Sequence, residues 1–356
     1  MTHAGRVSDA PPAARSERSW GKFLLALLAL LLLPAWPQLR ALLPIEQTAF
    51  LLIPAIAACA LVGWWAGGNL LLAVAWIALA AFVANAPGVA GGYRDLVRGW
   101  SLLLAGSFGL VCLFATDRPF FARALIALII SFLLAVMMGG LGATGGGAIR
   151  DTIASELTRR NTAWVAMIDA FITRYPKEWG ELVQRMPEAA NFPAQSAEML
   201  RALSRRGVTL FPALLALESI AALAVAWSAY HRVSRTRLGA PLAPLKEFRF
   251  NDQLVWGLIV GLTLLVLPTL SAYRAAGQNL LLFFGALYAV RGLGVLAWFL
   301  PPNALGIGAA IGLVLLFVPV LQVIAVLGFF LLLVASFGLG LGDTWADWRS
   351  RARPTP

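Results

Sequence analysis

Apolar runs of membrane-crossing length alternate with short polar breaks along almost the whole chain. After a polar start over residues 1–19 (MTHAGRVSDAPPAARSERS), apolar segments cover 20–40, 48–65, 69–85, 96–115 and 120–141. The breaks carry turn chemistry: Gly67-Gly68, residues 87–92, and Thr116-Asp117-Arg118-Pro119. Later segments cover 208–230, 253–273 and 279–300. About 20 helical residues span a hydrocarbon core of about 30 Å, so each segment reads as one transmembrane helix. The final apolar stretch, 303–341, would measure about 58 Å as one helix, too long for one crossing. It reads as two spans that break near Pro319. The pattern therefore predicts an all-α polytopic membrane helix bundle of ten spans.

One long stretch departs from that pattern. Residues 146–207 are polar overall, yet Ile149, Ile153, Leu157, Trp164, Ile168, Ile172 and Tyr175 recur at helical spacing. Their stripe is expected to face the bundle or the bilayer surface, with Arg159, Arg160 and Arg174 toward water. Pro176 ends this helix. Trp179, Leu182, Val183 and Met186 suggest a second, and Asn191 with Pro193 starts a third carrying Met199, Leu200 and Leu203. The expected organisation is a disordered tail (1–19), a first helix group (20–145), the helical insert (146–207), a second group (208–341) and an interfacial tail (342–356).

Composition narrows the class. Hydrophobic residues make up 60% of the chain and charged ones 13%, against about 25% charged in soluble domains. A soluble globule, a disordered chain and a disulfide scaffold are excluded. The net charge of +11 does not indicate nucleic acid, because the basic residues flank apolar spans, where anionic lipid headgroups attract them. Membrane lipids are the expected partner. With a cytoplasmic N-terminus and ten spans, the cytoplasmic short segments hold fourteen Arg and Lys and the opposite loops four. Nine spans would make the ratio eleven to seven. The expected topology is an inner-membrane, multi-pass protein with both termini cytoplasmic and an extracytoplasmic insert. The apolar run 23–33 resembles a signal-peptide core. Pro34, Ala35, Trp36 and Pro37 follow with no small-x-small cleavage site, so it reads as an anchor helix.

Charges inside the apolar spans are the candidate chemistry, since a charge at mid-bilayer demands a partner, a cavity or a pathway. Glu218 lies ten residues past Val208 and Arg291 twelve past Asn279, in spans of the same direction. Matched depth and opposite sign predict that the two pair, as the binding residues for a charged or zwitterionic small molecule. Cys59 and Cys112 lie in apolar runs and read as core residues. His3 and His231 lie in polar segments, which leaves no triad, no metal cluster and no cofactor motif. No enzymatic activity is expected. The run from Gly139 to Gly147 lacks the Lys-Ser/Thr of a phosphate loop and reads as a helix stop. Gly257/Gly261 and Gly308/Gly312 are spaced for close helix packing.

Just past the last span, Asp343, Trp345, Asp347, Trp348 and Arg349 read as an interfacial turn, with Asp347 set to pair with Arg351. The segment GLGLGDTWADWRSR resembles the closing element of YybS-like bacterial membrane proteins, a family of unknown function. Asp343, Trp345, Asp347 and Arg349 match that motif, and Tyr288-Ala-Val-Arg291-Gly292 resembles one of its later helices. The resemblance implies kinship with the substrate-binding subunits of energy-coupling-factor transporters. The expected function is small-molecule binding or transport. The competing reading is a structural or assembly factor for another membrane or envelope protein. The topology predicts that a reporter active only in the cytoplasm works when fused at the C-terminus and fails when inserted near Pro193. A C-terminus found outside would exclude ten spans.

Overall fold

The computed structural model describes residues 20–32, 45–85, 91–141, 146–234, 236–301, 304–316 and 321–351. Among them the regular structure is entirely helical. The helices are α1 (Trp20–Leu32), α2 (Ile45–Trp65), α3 (Leu70–Asn85), α4 (Gly92–Phe114), α5 (Phe120–Leu141), α6 (Gly146–Arg174), α7 (Pro176–Arg185) and α8 (Phe192–Val233). They continue as α9 (Val255–Val266), α10 (Arg274–Phe299), α11 (Ala304–Leu316), α12 (Gln322–Ala346) and α13 (Trp348–Arg351). The expected tail 1–19, residues 142–145 of the glycine run and the Pro319 break lie outside the described residues.

Among the described residues six helices are long and apolar enough to cross a membrane: Gln47–Trp65, Gly92–Phe114, Phe120–Met138, Pro187–Val233, Pro268–Phe299 and Ile324–Ala346. The ten-span expectation also needs α1, α3, α9 and α11, which have 13, 16, 12 and 13 residues. At α9 the reason is local. Pro268 has no N–H to continue the ladder, and the chain passes into a 3-10 turn over Pro268–Tyr273 before α10 begins.

The chain divides into two compact units, Met1–Val208 with Glu218–Leu242, and Thr209–Leu217 with Ala243–Pro356. In the first, α2 packs against α3 and α4, and α4 against α5 and α6. Its core holds an aromatic cluster of Phe108, Phe120 and Trp227, with ring centroids 5.7–6.1 Å apart. Cys59 and Cys112 are buried there, as core cysteines.

The insert is helical, as its spacing predicts, and prolines open its later helices. Pro176 stands in the first turn of α7 and Pro193 in that of α8, where a missing N–H costs nothing. Ile153 and Leu157 are buried and Arg159 and Arg174 are exposed, as expected. Arg160 departs from expectation: its side chain is only 13% exposed and turns inward. Asn161 ties α6 to α8, donating to the Leu200 carbonyl at 2.9 Å and to Ser204 Oγ. The expected boundary at residue 207 falls inside α8, whose 42 residues run unbroken from the polar insert into the apolar span. Such a helix is about 63 Å long, twice a hydrocarbon core.

In the second unit α10 packs against α9 and α12, and α11 against α12. The α10–α12 contact is made backbone to backbone. A Cβ on Gly292 would overlap the Ser336 carbonyl, and one on Gly340 the Tyr288 carbonyl. At α9–α10, Gly257 lies under the Phe284 ring and Gly261 against Gly277. The first expected glycine pair therefore works in packing. Asn279 serves the α8 segment of this unit. Its amide donates to the Thr209 carbonyl at 2.7 Å and accepts from Ala213 N–H at 2.9 Å. That matches a local need, because Pro212 interrupts the helix ladder beside these groups.

The packing of α6 makes a checkable statement. In a background without Cys59 and Cys112, Arg159→Cys is expected to react readily with a membrane-impermeant maleimide. Leu157→Cys is expected to resist it until the protein is denatured. Equal labelling would remove the α6 packing described above.

Candidate functional site

Glu218 lies inside α8 with 7% of its surface exposed. Its carboxylate is held by the first turns of α2 and, through one intermediary, of α4. Gln47 Nε2 donates to Oε2, and Thr48 Oγ1 donates to Oε1 at 2.8 Å. The Tyr93 hydroxyl donates to Gln47 Oε1, which fixes the amide so that its NH2 faces the carboxylate. Gln47 and Thr48 are 2% and 1% exposed. The neighbouring Ser219 accepts from Trp100 Nε1 at 3.0 Å. Gln47 and Thr48 are buried polar residues in the first turn of an otherwise largely apolar helix, so their partners have to be found within the bundle.

The insert supplies the next member of the cluster. Arg160 places its guanidinium 4.7 Å from the centre of the Tyr93 ring and donates to Glu156 at 2.9 Å. Arg159 also binds Glu156, at 2.7 Å. Partial burial alone would raise the Glu156 pKa, but the two guanidiniums hold its carboxyl below the usual range. Glu156, Arg160, Tyr93, Gln47 and Glu218 thus form one polar series from the insert to the interior of a span. Within this unit, among the described residues, no cation stands within 4.0 Å of the Glu218 carboxylate.

The expected pairing of Glu218 with Arg291 is replaced by separate partners, each within its own unit. Arg291, 3% exposed, donates from Nε to Asp343 Oδ2 at 3.0 Å and from Nη1 to Asp252 at 2.5 Å. Arg349 donates to the same Asp343 oxygen at 2.5 Å and to the carbonyls of Lys246 and Phe248, both at 3.1 Å. Depth matching failed here because it paired Arg291 with the nearest intramembrane carboxylate and treated Asp343 as interfacial. Asp343 belongs to α12 and is buried, and the glycine contact between α10 and α12 brings it to Arg291.

The closing motif is correspondingly divided. Asp347 adopts the left-handed conformation, φ 38°, at the end of α12. Asp is among the few residues other than Gly that tolerate it. The resulting turn folds Arg349 back to Asp343. Asp347 pairs with Arg249 at 2.5 Å, and the side chain of Arg351, its expected partner, lies outside the described residues. Trp345 is exposed, as an interfacial anchor is, while Trp348 lies against Gly342.

His231 is also relocated. It is buried in the last turn of α8, with its ring 4.4 Å from that of Trp227. Nδ1 donates to the Trp227 carbonyl at 2.9 Å. The buried Arg123 stacks on the same Trp227 at 5.3 Å and donates to the carbonyls of Leu238 and Thr116. These groups clasp the loops at one end of the unit and present no catalytic arrangement.

The profile of a family of predicted membrane proteins, DUF2232, matches residues 26–331. The chain belongs to that family. The match holds the Glu218 cluster and Arg291 and stops short of the closing motif. No curated protein and no solved structure matches this DUF2232 chain.

Sequence reasoning found Glu218, Arg291, Asp343 and Arg349, and missed Gln47, Thr48, Tyr93, Arg160 and Asp252. The available signal was modest: adjacent polar residues at the start of an apolar helix, and an arginine on the edge of an apolar stripe. The energetics separate the two kinds of ion pair in the second unit. Asp343→Asn leaves two buried guanidiniums without their shared carboxylate and is expected to cost about 3–5 kcal/mol. Asp347→Ala breaks a half-exposed pair and is expected to cost less than about 1 kcal/mol. Denaturation of the detergent-solubilised protein checks both.

Proposed function

We propose that the protein binds a small, positively charged molecule within the membrane and carries it across, with Glu218 as the binding carboxylate. The observation that carries this reading is a buried carboxylate whose direct partners are neutral. A carboxylate buried in a transmembrane helix receives two neutral donors and, in its unit, no cation within ion-pair reach. A bilayer interior stabilises an isolated charge poorly, so the site is completed by one positive charge. Gln47, Thr48 and Tyr93 orient the carboxylate, and Arg160 on the insert places a like charge beside the approach. Arg291 is assigned a structural role, because Asp343 and Asp252 already balance it.

Ten crossings of the inner membrane, with both termini in the cytoplasm and the insert outside, is the topology the basic residues favour. The six long helices supply part of it, and α1, α3, α9 and α11 supply the shorter crossings. The likeness of the closing motif to YybS-like proteins, and through them to substrate-binding transporter subunits, agrees with a binding role.

A second reading has its own support. Met167, Phe171, Met186 and Phe192 on the insert are more than half exposed. Apolar surface of that kind suits a bilayer surface or a protein partner, as in an assembly factor. The two readings are separated by a thermal-shift titration of the full chain in detergent with ethylammonium chloride. Stabilisation over potassium chloride, absent in Glu218→Gln, is expected. Equal curves for both salts in the wild type would remove the cation-binding reading. Loss of a copurifying membrane protein from Met167→Ser/Phe171→Ser would favour assembly.

A further inference from the structure

We infer that Glu218 is a proton-exchange site: without a ligand the carboxyl group carries a proton, and an organic ammonium ion binds by displacing it. This rests on the reading of Glu218 as the binding carboxylate and adds what occupies the site when no ligand is present.

The argument is one of charge and hydrogen-bond capacity. The groups that face Glu218 can be named element by element. From α2 come Gln47 and Thr48, both uncharged, and from α4 comes Tyr93, acting through Gln47. From α6 comes Arg160, whose guanidinium is held over the Tyr93 ring and by Glu156. On α8 the neighbour is Ser219, engaged by Trp100. Arg160 thus shares Glu156 with Arg159 and reaches Glu218 through the Tyr93–Gln47 relay, not by a direct ion pair. A buried acid in such a place resolves its missing charge by taking up a proton.

The hydrogen bonds accommodate both states. Gln47 can only donate to Oε2, since its carbonyl oxygen is used by Tyr93. Thr48 is different. Its hydroxyl donates to an ionised Oε1 at 2.8 Å, and on rotation it accepts from a protonated Oε1 in the same geometry. One side of the carboxyl group is thus a fixed donor and the other a reversible partner. The exchange balances: the ammonium ion and the neutral carboxyl group give an ammonium–carboxylate pair and one free proton. No other bond changes.

The test is infrared difference spectroscopy of the full chain in phosphatidylcholine vesicles as pH is stepped. The wild type is expected to show the carbonyl band of a protonated carboxyl group, sensitive to deuterium exchange and lost as pH rises. Glu218→Gln is expected to lack it, with folding checked by thermal unfolding. Gln47→Leu removes a fixed donor to the charged form and is expected to keep the band to higher pH, which serves if Glu218→Gln does not fold. Identical spectra for wild type and both variants at every pH would overturn the inference. Ethylammonium chloride, added where the band is present, is expected to abolish it and release a proton to a pH dye. A band that titrates but ignores ethylammonium would leave the proton site standing and remove the small-molecule reading. Ethylammonium stabilisation without any such band would do the reverse.

Discussion

A bilayer interior offers neither water nor counter-ions, so every charge within it has to be answered by the protein around it. That constraint accounts for much of what α2, α4, α8, α10 and α12 do. Where charge meets opposite charge, the result is a brace. Asp343 joins Arg291 and Arg349, and Arg349 in turn holds the backbone of the 246–248 segment. At Glu218 the direct answer is two neutral donors, Gln47 and Thr48. Glu218 and Arg291 both stand in apolar runs of the sequence, and they differ in sign and in what surrounds them.

Close backbone approach is what lets the brace form. Salt bridges in a low dielectric stabilise only when geometry is tight and the remaining polar atoms are engaged. Gly292 and Gly340 allow α10 and α12 to touch, and the left-handed turn at Asp347 returns Arg349 to the same carboxylate. A bulky residue at either glycine would separate helices and charges together. Packing and electrostatics are one device in this unit.

The helical membrane class and most helix positions were legible in the apolar periodicity. The α5 bounds coincide with expectation, α6 ends just before Pro176, and Pro193 stands at the start of α8, as read. Span count was less legible, because hydropathy measures how apolar a segment is and not where its ladder stops. Pro268 shortens α9 although the apolar run continues past it. Partners were the least legible. Glu218 meets Gln47 and Thr48 about 170 positions away in the chain, a closure that no local pattern encodes. Arg160 was misplaced because stripe reasoning assigns a residue to one side of a helix, while a long guanidinium on the stripe's edge can reach inward.

The continuity of α8 has a mechanical side. A helix resists bending and twisting far more than a loop, so this one behaves as a shaft joining the polar insert to the span that carries Glu218. Along its length one place is weakened. That place is Pro212, where the Asn279 amide stands beside the interrupted ladder. The shaft therefore has a coupling with its own latch, six residues before the carboxylate. The Asn279 amide therefore sits where the helix is most easily bent.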